Sequence, residues 1–251
     1  MSNRLAFPMY AVDRADTEAL WQAVNRLLAA RGITLSEHYG LPEADLLAHW
    51  QQPDLILSQT CGYPLVTRLP DVQVVGAFHY AAPGCDGMGY RSFLVARDSD
   101  KHLTVADFRG RRLVCNSSDS QSGYNVLRKR IAPEVLDRYF THVSFSGSHR
   151  RSLIEIKDGR ADLAAIDCVT WALLQRHEPD IVAGLAVIEQ SPQTPGLPLI
   201  TSGKTTPDRL QAIREALSAL VSLPEYRHVC DAVLIRGFSA ATREAWSPLL
   251  D

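Results

Sequence analysis

The sequence has no excess of positive charge and no long apolar run. Its 251 residues carry 26 basic and 28 acidic side chains, a formal net charge of -2 at pH 7. Proteins that bind the nucleic-acid phosphate backbone depend on a cationic surface, so this balance argues against a nucleic-acid partner. No apolar segment approaches the length that spans a bilayer, and we therefore expect no membrane insertion.

The short motifs of common enzyme and metal sites are also missing. The sequence contains no G-x-S-x-G elbow, no Walker A lysine pattern, no G-x-G-x-x-G and no H-E-x-x-H. The eight histidines do not cluster at the spacing of metal ligands. We therefore expect no metal and no cofactor.

The cysteines form no recognisable redox or zinc motif. There are five of them, widely spaced and without a C-x-x-C pair: Cys61, Cys85, Cys115, Cys168 and Cys230. This pattern argues against a zinc ribbon and a thioredoxin-like site. The interpretation it favours is a set of buried, unpaired thiols in a reducing compartment.

Short apolar runs alternate with helical patterns along most of the chain, which predicts an α/β fold with parallel strand pairing. The hydrophobic content of 46% and the charged content of 22% are those of a globular protein. The predicted strands are 5–9, 54–57, 72–78, 93–96, 113–115, 143–145 and 163–166. A helix is predicted over 17–30 and a Pro-rich connector over 190–198. Thr206 before Pro207 predicts another helix start.

The loop after the strand at 113–115 is rich in small polar residues. Ser120, Gln121 and Ser122 precede Gly123 where a helix is predicted to begin, and Pro133 is predicted to end that helix. Helix starts offer unpaired N–H groups and the positive end of the dipole, and a glycine lets a ligand approach closely. The loop is suited to an oxyanion. A serine-rich helix cap that contacts only water is the alternative.

A second and a third helix start follow later strands. The turn Ser146-Gly147-Ser148-His149 opens one helix, where His149 either donates to an anion or lies at the surface. Asp167 follows the strand at 163–166 and either caps the next helix or accepts a hydrogen bond from a protonated anion. One residue can fill both of these roles.

Three tyrosines complete the candidate site: Tyr10 after the first strand, Tyr63 after the second, and Tyr90 before Arg91-Ser92. Each is able to hydrogen-bond an anion oxygen or to enclose an organic substituent. Packing in the core or at the surface is the alternative for each of them.

These loops together resemble the phosphate, phosphite and phosphonate substrate-binding proteins of ABC transporters. The likeness runs from about residue 9 to residue 201. It is carried by the segments 84–87, 90–92, 107–111, 119–125, 146–149, 159–162 and 165–167. The resemblance implies a two-lobed type 2 periplasmic-binding-protein fold with ligand between the lobes. Residues 1–82 and 190–251 would form lobe 1, and residues 83–189 would form lobe 2.

The resemblance also assigns roles to residues. Ser120, Gln121 and Ser122 would hold the phosphonate oxygens at a helix start, with His149 as a further donor. Asp167 would match an acidic ligand residue of the family. Tyr63 and Tyr90 would match pocket tyrosines.

The function expected from this likeness is binding of a small tetrahedral oxyanion, with no catalysis and with ABC transporter membrane subunits as partners. No export signal is recognisable, so we expect a periplasmic protein if a signal has been removed and a cytoplasmic one if the chain is complete. Two alternatives stay open. One is a cytoplasmic enzyme of the same fold, similar to chorismate dehydratase, that acts on a small carboxylated or phosphorylated metabolite. It would use His149 or Asp167 as acid or base. The other is an effector-sensing subunit.

Overall fold

The computed structural model describes residues 4–35, 38–42, 45–131 and 136–250. The chain divides into two compact units. Unit 1 comprises residues 1–81, 86–89 and 195–251, and unit 2 comprises residues 82–85 and 90–194. The predicted helix end at Pro133 lies outside the described residues.

The described residues contain strands and helices in alternation. The strands are β1 Arg4–Ala6, β2 Leu55–Gln59, β3 Gln73–Tyr80, β4 Gly89–Tyr90, β5 Ser92–Arg97, β6 Arg112–Cys115, β7 His142–Phe145, β8 Ala164–Asp167, β9 Leu185–Gln190, β10 Thr194–Pro195, β11 Pro198–Thr201 and β12 Ile235–Ala240. The α-helices are α1 Arg14–Ala29, α2 Leu46–Trp50, α3 Gly62–Arg68, α4 Val126–Ile131, α5 Leu136–Tyr139, α6 His149–Lys157, α7 Cys168–His177, α8 Pro179–Val182, α9 Pro207–Ser222 and α10 Arg227–Ala232.

Unit 1 is built on a five-stranded sheet in the order β1-β2-β11-β3-β12. Helices α1 and α9 pack together and bury one apolar face each, with Leu20 and Val24 on α1 and Leu217 on α9. Helix α1 begins at residue 14, three residues before the predicted start, because Asp13 caps it by accepting from the Asp16 N–H at 2.9 Å. Thr206 caps α9 as predicted.

Unit 2 contains the antiparallel sheet β8-β5-β9 and the parallel pair β6-β7. A parallel bridge from Leu113 in β6 to Leu163, just before β8, joins the two. Strands β6, β7 and β8 therefore run in the same direction, and their carboxyl ends share one edge. Phe108, Leu113 and Leu127 are fully buried in the core beneath them.

The prediction of parallel pairing is confirmed for two pairs of strands and is wrong for the others whose direction the structure gives. The ladders β1-β2 and β6-β7 are parallel, whereas β5-β8 is antiparallel and β9, β11 and β12 pair antiparallel to their neighbours. These three strands lie in the last third of the chain, where the sequence predicted none. The expected connector at 190–198 itself contains the short strand β10 and the ends of β9 and β11.

A cluster of charges fixes the start of β8 within unit 2. The Asp162 carboxylate accepts hydrogen bonds from Arg97 Nη2 at 2.6 Å and from Arg112 Nε at 2.9 Å and Nη2 at 2.8 Å. Burial alone would raise the pKa of Asp162, but the hydrogen bonds from the two arginines outweigh it and hold that pKa well below its ordinary value. The ionised carboxylate is therefore the form that stabilises the fold.

We predict that Asp162→Asn lowers the free energy of unfolding at neutral pH by about 3 kcal/mol, because two partly buried arginines lose their anion. The folded-state pKa lies below the ordinary value of 3.8. The contribution is therefore complete above about pH 4 and is lost as the pH falls through the folded-state pKa. Urea unfolding at several pH values measures both effects. The control is Asp98→Asn, which breaks an exposed pair with Lys101 and should cost under about 1 kcal/mol. Equal costs for the two variants would contradict the prediction.

Candidate functional site

The structure brings six of the nine predicted site residues together in unit 2. They occupy the loops and first turns that follow β6, β7 and β8, and they are Ser120, Gln121, Ser122, Gly123, His149 and Asp167. Tyr90 also belongs to unit 2, whereas Tyr10 and Tyr63 belong to unit 1.

Each of the three loops ends in a capped helix start. Ser120 Oγ accepts from the Gly123 N–H at 3.0 Å, Ser148 Oγ from Arg151 at 3.2 Å, and Asp167 Oδ1 from Thr170 at 2.8 Å. The helix starts predicted at all three loops are confirmed. The first is a π-helical turn, Gln121–Asn125, which continues into α4. Each cap satisfies one N–H and leaves others at the helix end without a helical partner.

Three of these side chains meet in a buried group that we call the Ser–His–Asp cluster: Ser122, His149 and Asp167. Ser122 Oγ lies 3.0 Å from His149 Nε2, and the same nitrogen lies 3.4 Å from Asp167 Oδ2. Ser122 is 6% exposed and Asp167 is 3% exposed. Three helix starts that are distant in sequence therefore contribute side chains to one cluster around the His149 imidazole.

Burial is the main influence on the charge of His149. It lowers the pKa of the imidazole, while the Asp167 carboxylate and the Ala165 carbonyl act in the opposite direction without restoring the ordinary value. The imidazole is therefore neutral at neutral pH. An anion placed beside it would favour the protonated form, in which Nε2 is a charged donor.

The cluster has the residues of a catalytic triad without its geometry. A triad needs the serine on one imidazole nitrogen and the carboxylate on the other, so that a proton taken from the hydroxyl leaves an oriented imidazolium. Here the hydroxyl and the carboxylate both face Nε2. The arrangement places a hydroxyl and a carboxylate beside the same nitrogen and does not prepare the Ser122 oxygen as a nucleophile.

Gly123 leaves no space for a side chain. A Cβ there would lie 1.8 Å from Asn116 Oδ1 and 3.2 Å from His149 Cε1. Asn116 Oδ1 is buried and accepts no hydrogen bond from the described residues. Sequence reasoning missed Asn116, although its place directly after β6 in a polar loop is the signal that it shares with the other candidates.

The remaining predicted residues lie outside the Ser–His–Asp cluster, two of them in unit 2 and two in unit 1. Gln121 is buried and its Oε1 accepts from Asn125 Nδ2 at 2.7 Å, so that oxygen is used within the helix. Tyr90 is buried two residues before Ser92, which pairs with Asp167 across the β5-β8 ladder. In unit 1, Tyr10 packs edge-on against another tyrosine, and Tyr63 is half-buried in the first turn of α3.

The described residues offer neither a metal site nor a membrane-spanning helix. They contain no group of three or more His, Cys, Asp or Glu side chains placed to hold a metal ion. None of the helices they form has the length and the apolar character needed to cross a bilayer.

Solved structures with the same fold include phosphonate-binding proteins. PhnD1 of Prochlorococcus marinus in complex with methylphosphonate is 12% identical, with a TM-score of 0.77 over 98% of this chain and 94% of that one. A binding protein of a Pseudomonas aeruginosa phosphonate transporter is 15% identical, with a TM-score of 0.76 over 98% and 84%. XAC2383 of Xanthomonas citri bound to ATP is 15% identical, with a TM-score of 0.74 over 99% and 96%. These matches confirm the predicted two-lobed periplasmic-binding-protein fold.

The sequence matches the model of a protein family, although no individual protein of curated function matches it significantly. The model of a family described as "ABC transporter, phosphonate, periplasmic substrate-binding protein" matches residues 47–246, which is most of the chain. The chain therefore belongs to the family of phosphonate-type periplasmic substrate-binding proteins of ABC transporters, as its sequence motifs predicted.

Proposed function

We propose that the Ser–His–Asp cluster and the helix starts around it capture a small anion with a tetrahedral phosphorus centre: phosphate, phosphite or an alkylphosphonate. The observation that carries the proposal is the placement of Ser122 and Asp167 on one nitrogen of the buried His149. The methylphosphonate complex of the Prochlorococcus relative supports this ligand class.

The chemistry of unit 2 suits a partly charged oxyanion. Helices that begin at Gln121, His149 and Cys168 direct the positive ends of their dipoles toward the edge where β6, β7 and β8 end. The hydroxyls of Ser120 and Ser122 add donors, and the imidazole adds one more when protonated. Several donors fixed before binding reduce the ordering that the ligand must induce.

Asp167 gives this site a preference among anions. Its carboxylate already accepts from the Thr170 N–H and hydroxyl and lies near His149, and an ionised carboxylate offers no donor. A ligand that retains a P–OH proton is able to donate to it, whereas a fully ionised oxygen meets an unfavourable like charge. We therefore propose that Asp167 caps α7 and also selects protonated ligands.

We propose that the ligand is released unchanged. The family is one of transport proteins, and the shared nitrogen of His149 leaves Ser122 without the separate base and orienting carboxylate of a hydrolase. The partners that follow from the family are ABC transporter membrane subunits, and the compartment is the periplasm.

Units 1 and 2 differ by a few residues from the predicted lobes, 1–82 with 190–251 and 83–189. We propose that they act as those lobes, and Tyr10, Tyr63 and Tyr90 stay predicted ligand contacts.

The ligand class is tested by thermal unfolding in the presence of phosphate, phosphite, methylphosphonate, sulfate, ATP and small carboxylates. A true ligand at about 100 times its Kd should stabilise the protein by about 2.7 kcal/mol. We expect this stabilisation with at least one of the phosphorus oxyanions. Phosphorus NMR of the incubated ligand should then show no new species. Stabilisation by carboxylates alone, or consumption of the ligand, would favour the enzyme alternative instead.

We predict that Ser122→Ala weakens phosphonate binding about 10- to 150-fold, the cost of one hydrogen bond to a charged group. Ser120→Ala should weaken binding similarly and also cost about 1 kcal/mol of stability, because Ser120 caps the helix start. Titration calorimetry measures the affinities. The matched control is Thr206→Ala, which removes a cap from α9 in unit 1 and should leave affinity unchanged. Unchanged affinity in the double serine variant would remove this loop from the site.

We predict that Asp167→Asn relaxes the discrimination against sulfate. Asparagine is as good a helix cap as aspartate, so the fold should be retained while the amide gains a donor for a fully ionised oxygen. Competition binding should show a higher ratio of sulfate to methylphosphonate affinity. The matched control is Asp45→Asn, which alters the exposed cap of α2. If Asp167→Asn keeps the parent's ratio, Asp167 is a cap and nothing more.

A further inference from the structure

Two cysteines that are distant in sequence lie side by side in unit 2. Cys85 Sγ is 3.4 Å from Cys168 Sγ, although 83 positions separate the two residues along the chain. Cys85 belongs to the short segment 82–85, and Cys168 is the first residue of α7, directly after Asp167.

The backbones around the two sulfurs are held in place. The Cys168 N–H donates to the Arg91 carbonyl at 3.0 Å, and the Cys85 N–H donates to the Ala82 carbonyl at 3.0 Å. A Cβ added at Gly84 would lie 3.1 Å from Cys168 Cβ, so the segment packs directly against the start of the helix. The sulfurs need to approach by about 1.4 Å to reach the bonding distance of a disulfide.

The two thiols differ in access. Cys168 is 0% exposed, and its hydrogen bond with Cys85 together with burial raises the pKa of its thiol far above the ordinary value. Cys85 is half-buried. Because oxidants react with an accessible thiolate, Cys85 is the sulfur that reacts first and Cys168 is the one that resolves the intermediate.

We propose that Cys85 and Cys168 form a disulfide when the chain meets a disulfide oxidant, either a small-molecule disulfide or a dithiol-oxidising protein. The Cys85 thiolate attacks one sulfur of the oxidant and releases the other as a thiolate. Cys168 then loses its proton and attacks Cys85 Sγ, which releases the second thiolate. Two protein thiols are oxidised, the oxidant is reduced to two thiols, and the protons pass to the released sulfurs. The periplasm, where this family works, maintains such oxidants.

The bond would tie the segment 82–85 to the first turn of α7. It closes a long loop of chain, so it removes conformational freedom from the unfolded state and should raise the thermal midpoint. The helix that it fixes is the one that Asp167 caps, so the bond would also hold that carboxylate in register with β5.

The test uses the full chain, reduced and then incubated with oxidised glutathione. We expect the count of reactive thiols under denaturing conditions to fall by two from the five of the sequence. A digest should contain one peptide pair that joins Cys85 to Cys168. The thermal midpoint should rise by roughly 5–10 °C and return to its starting value after reduction.

Variants separate the pair from the other cysteines. Cys168→Ala should keep glutathione on Cys85 as a stable mixed disulfide, while Cys85→Ser should neither lose thiols nor gain stability. Cys230→Ala, which alters a buried thiol in unit 1, should still lose two thiols on oxidation. An oxidised parent protein that retains all its thiols, or that links a different pair, would overturn the proposal.

Discussion

The common direction of β6, β7 and β8 is the constraint on which the candidate site depends. Because these strands run the same way, the helices that follow them all begin at one edge of unit 2. The helix starts place the Ser122 hydroxyl and the Asp167 carboxylate beside Nε2 of His149, whose side chain is 11% exposed. A reversed strand would carry its loop to the opposite edge, and His149 would lose one of its two neighbours.

The two ends of β8 show how surroundings assign different roles to the same residue type. Asp162 lies just before the strand among two arginines, so its charge is compensated and it stabilises the fold. Asp167 ends the strand against an N–H, a hydroxyl and an imidazole whose pKa burial has lowered. The first carboxylate is neutralised by permanent cations. The second accepts from an uncharged N–H and a hydroxyl, and it lies beside an imidazole that is neutral at neutral pH.

Local features were predictable from the sequence, and long-range pairing was not. The caps at Ser120, Asp167 and Thr206 have short-range signatures, because a small polar side chain before a helix bonds to an N–H three residues later. The direction of a strand in a sheet depends on the distant segment with which it pairs. The antiparallel pairing of β9, β11 and β12 therefore has no signature in the nearby sequence. The contact between Cys85 and Cys168 could not be predicted for the same reason, since 83 positions separate the two residues. The sequence predicted that Ser122, His149 and Asp167 follow the carboxyl ends of strands, where ligands bind in α/β sheets, but it did not predict that their side chains contact one another.

The observed capping by Asp167 is compatible with the ligand selection that we propose for it, because the two use different oxygens. Oδ1 accepts the Thr170 N–H, which fixes the carboxyl plane, and Oδ2 contacts the Thr170 hydroxyl and faces His149. A carboxylate oxygen has two lone-pair directions, so Oδ2 is able to accept from a neighbour and from a ligand proton together. The cap thus orients the carboxylate that we propose to discriminate among ligands. A residue held this way would select by protonation state with little loss of side-chain freedom on binding, as the proposed preference for protonated tetrahedral anions requires.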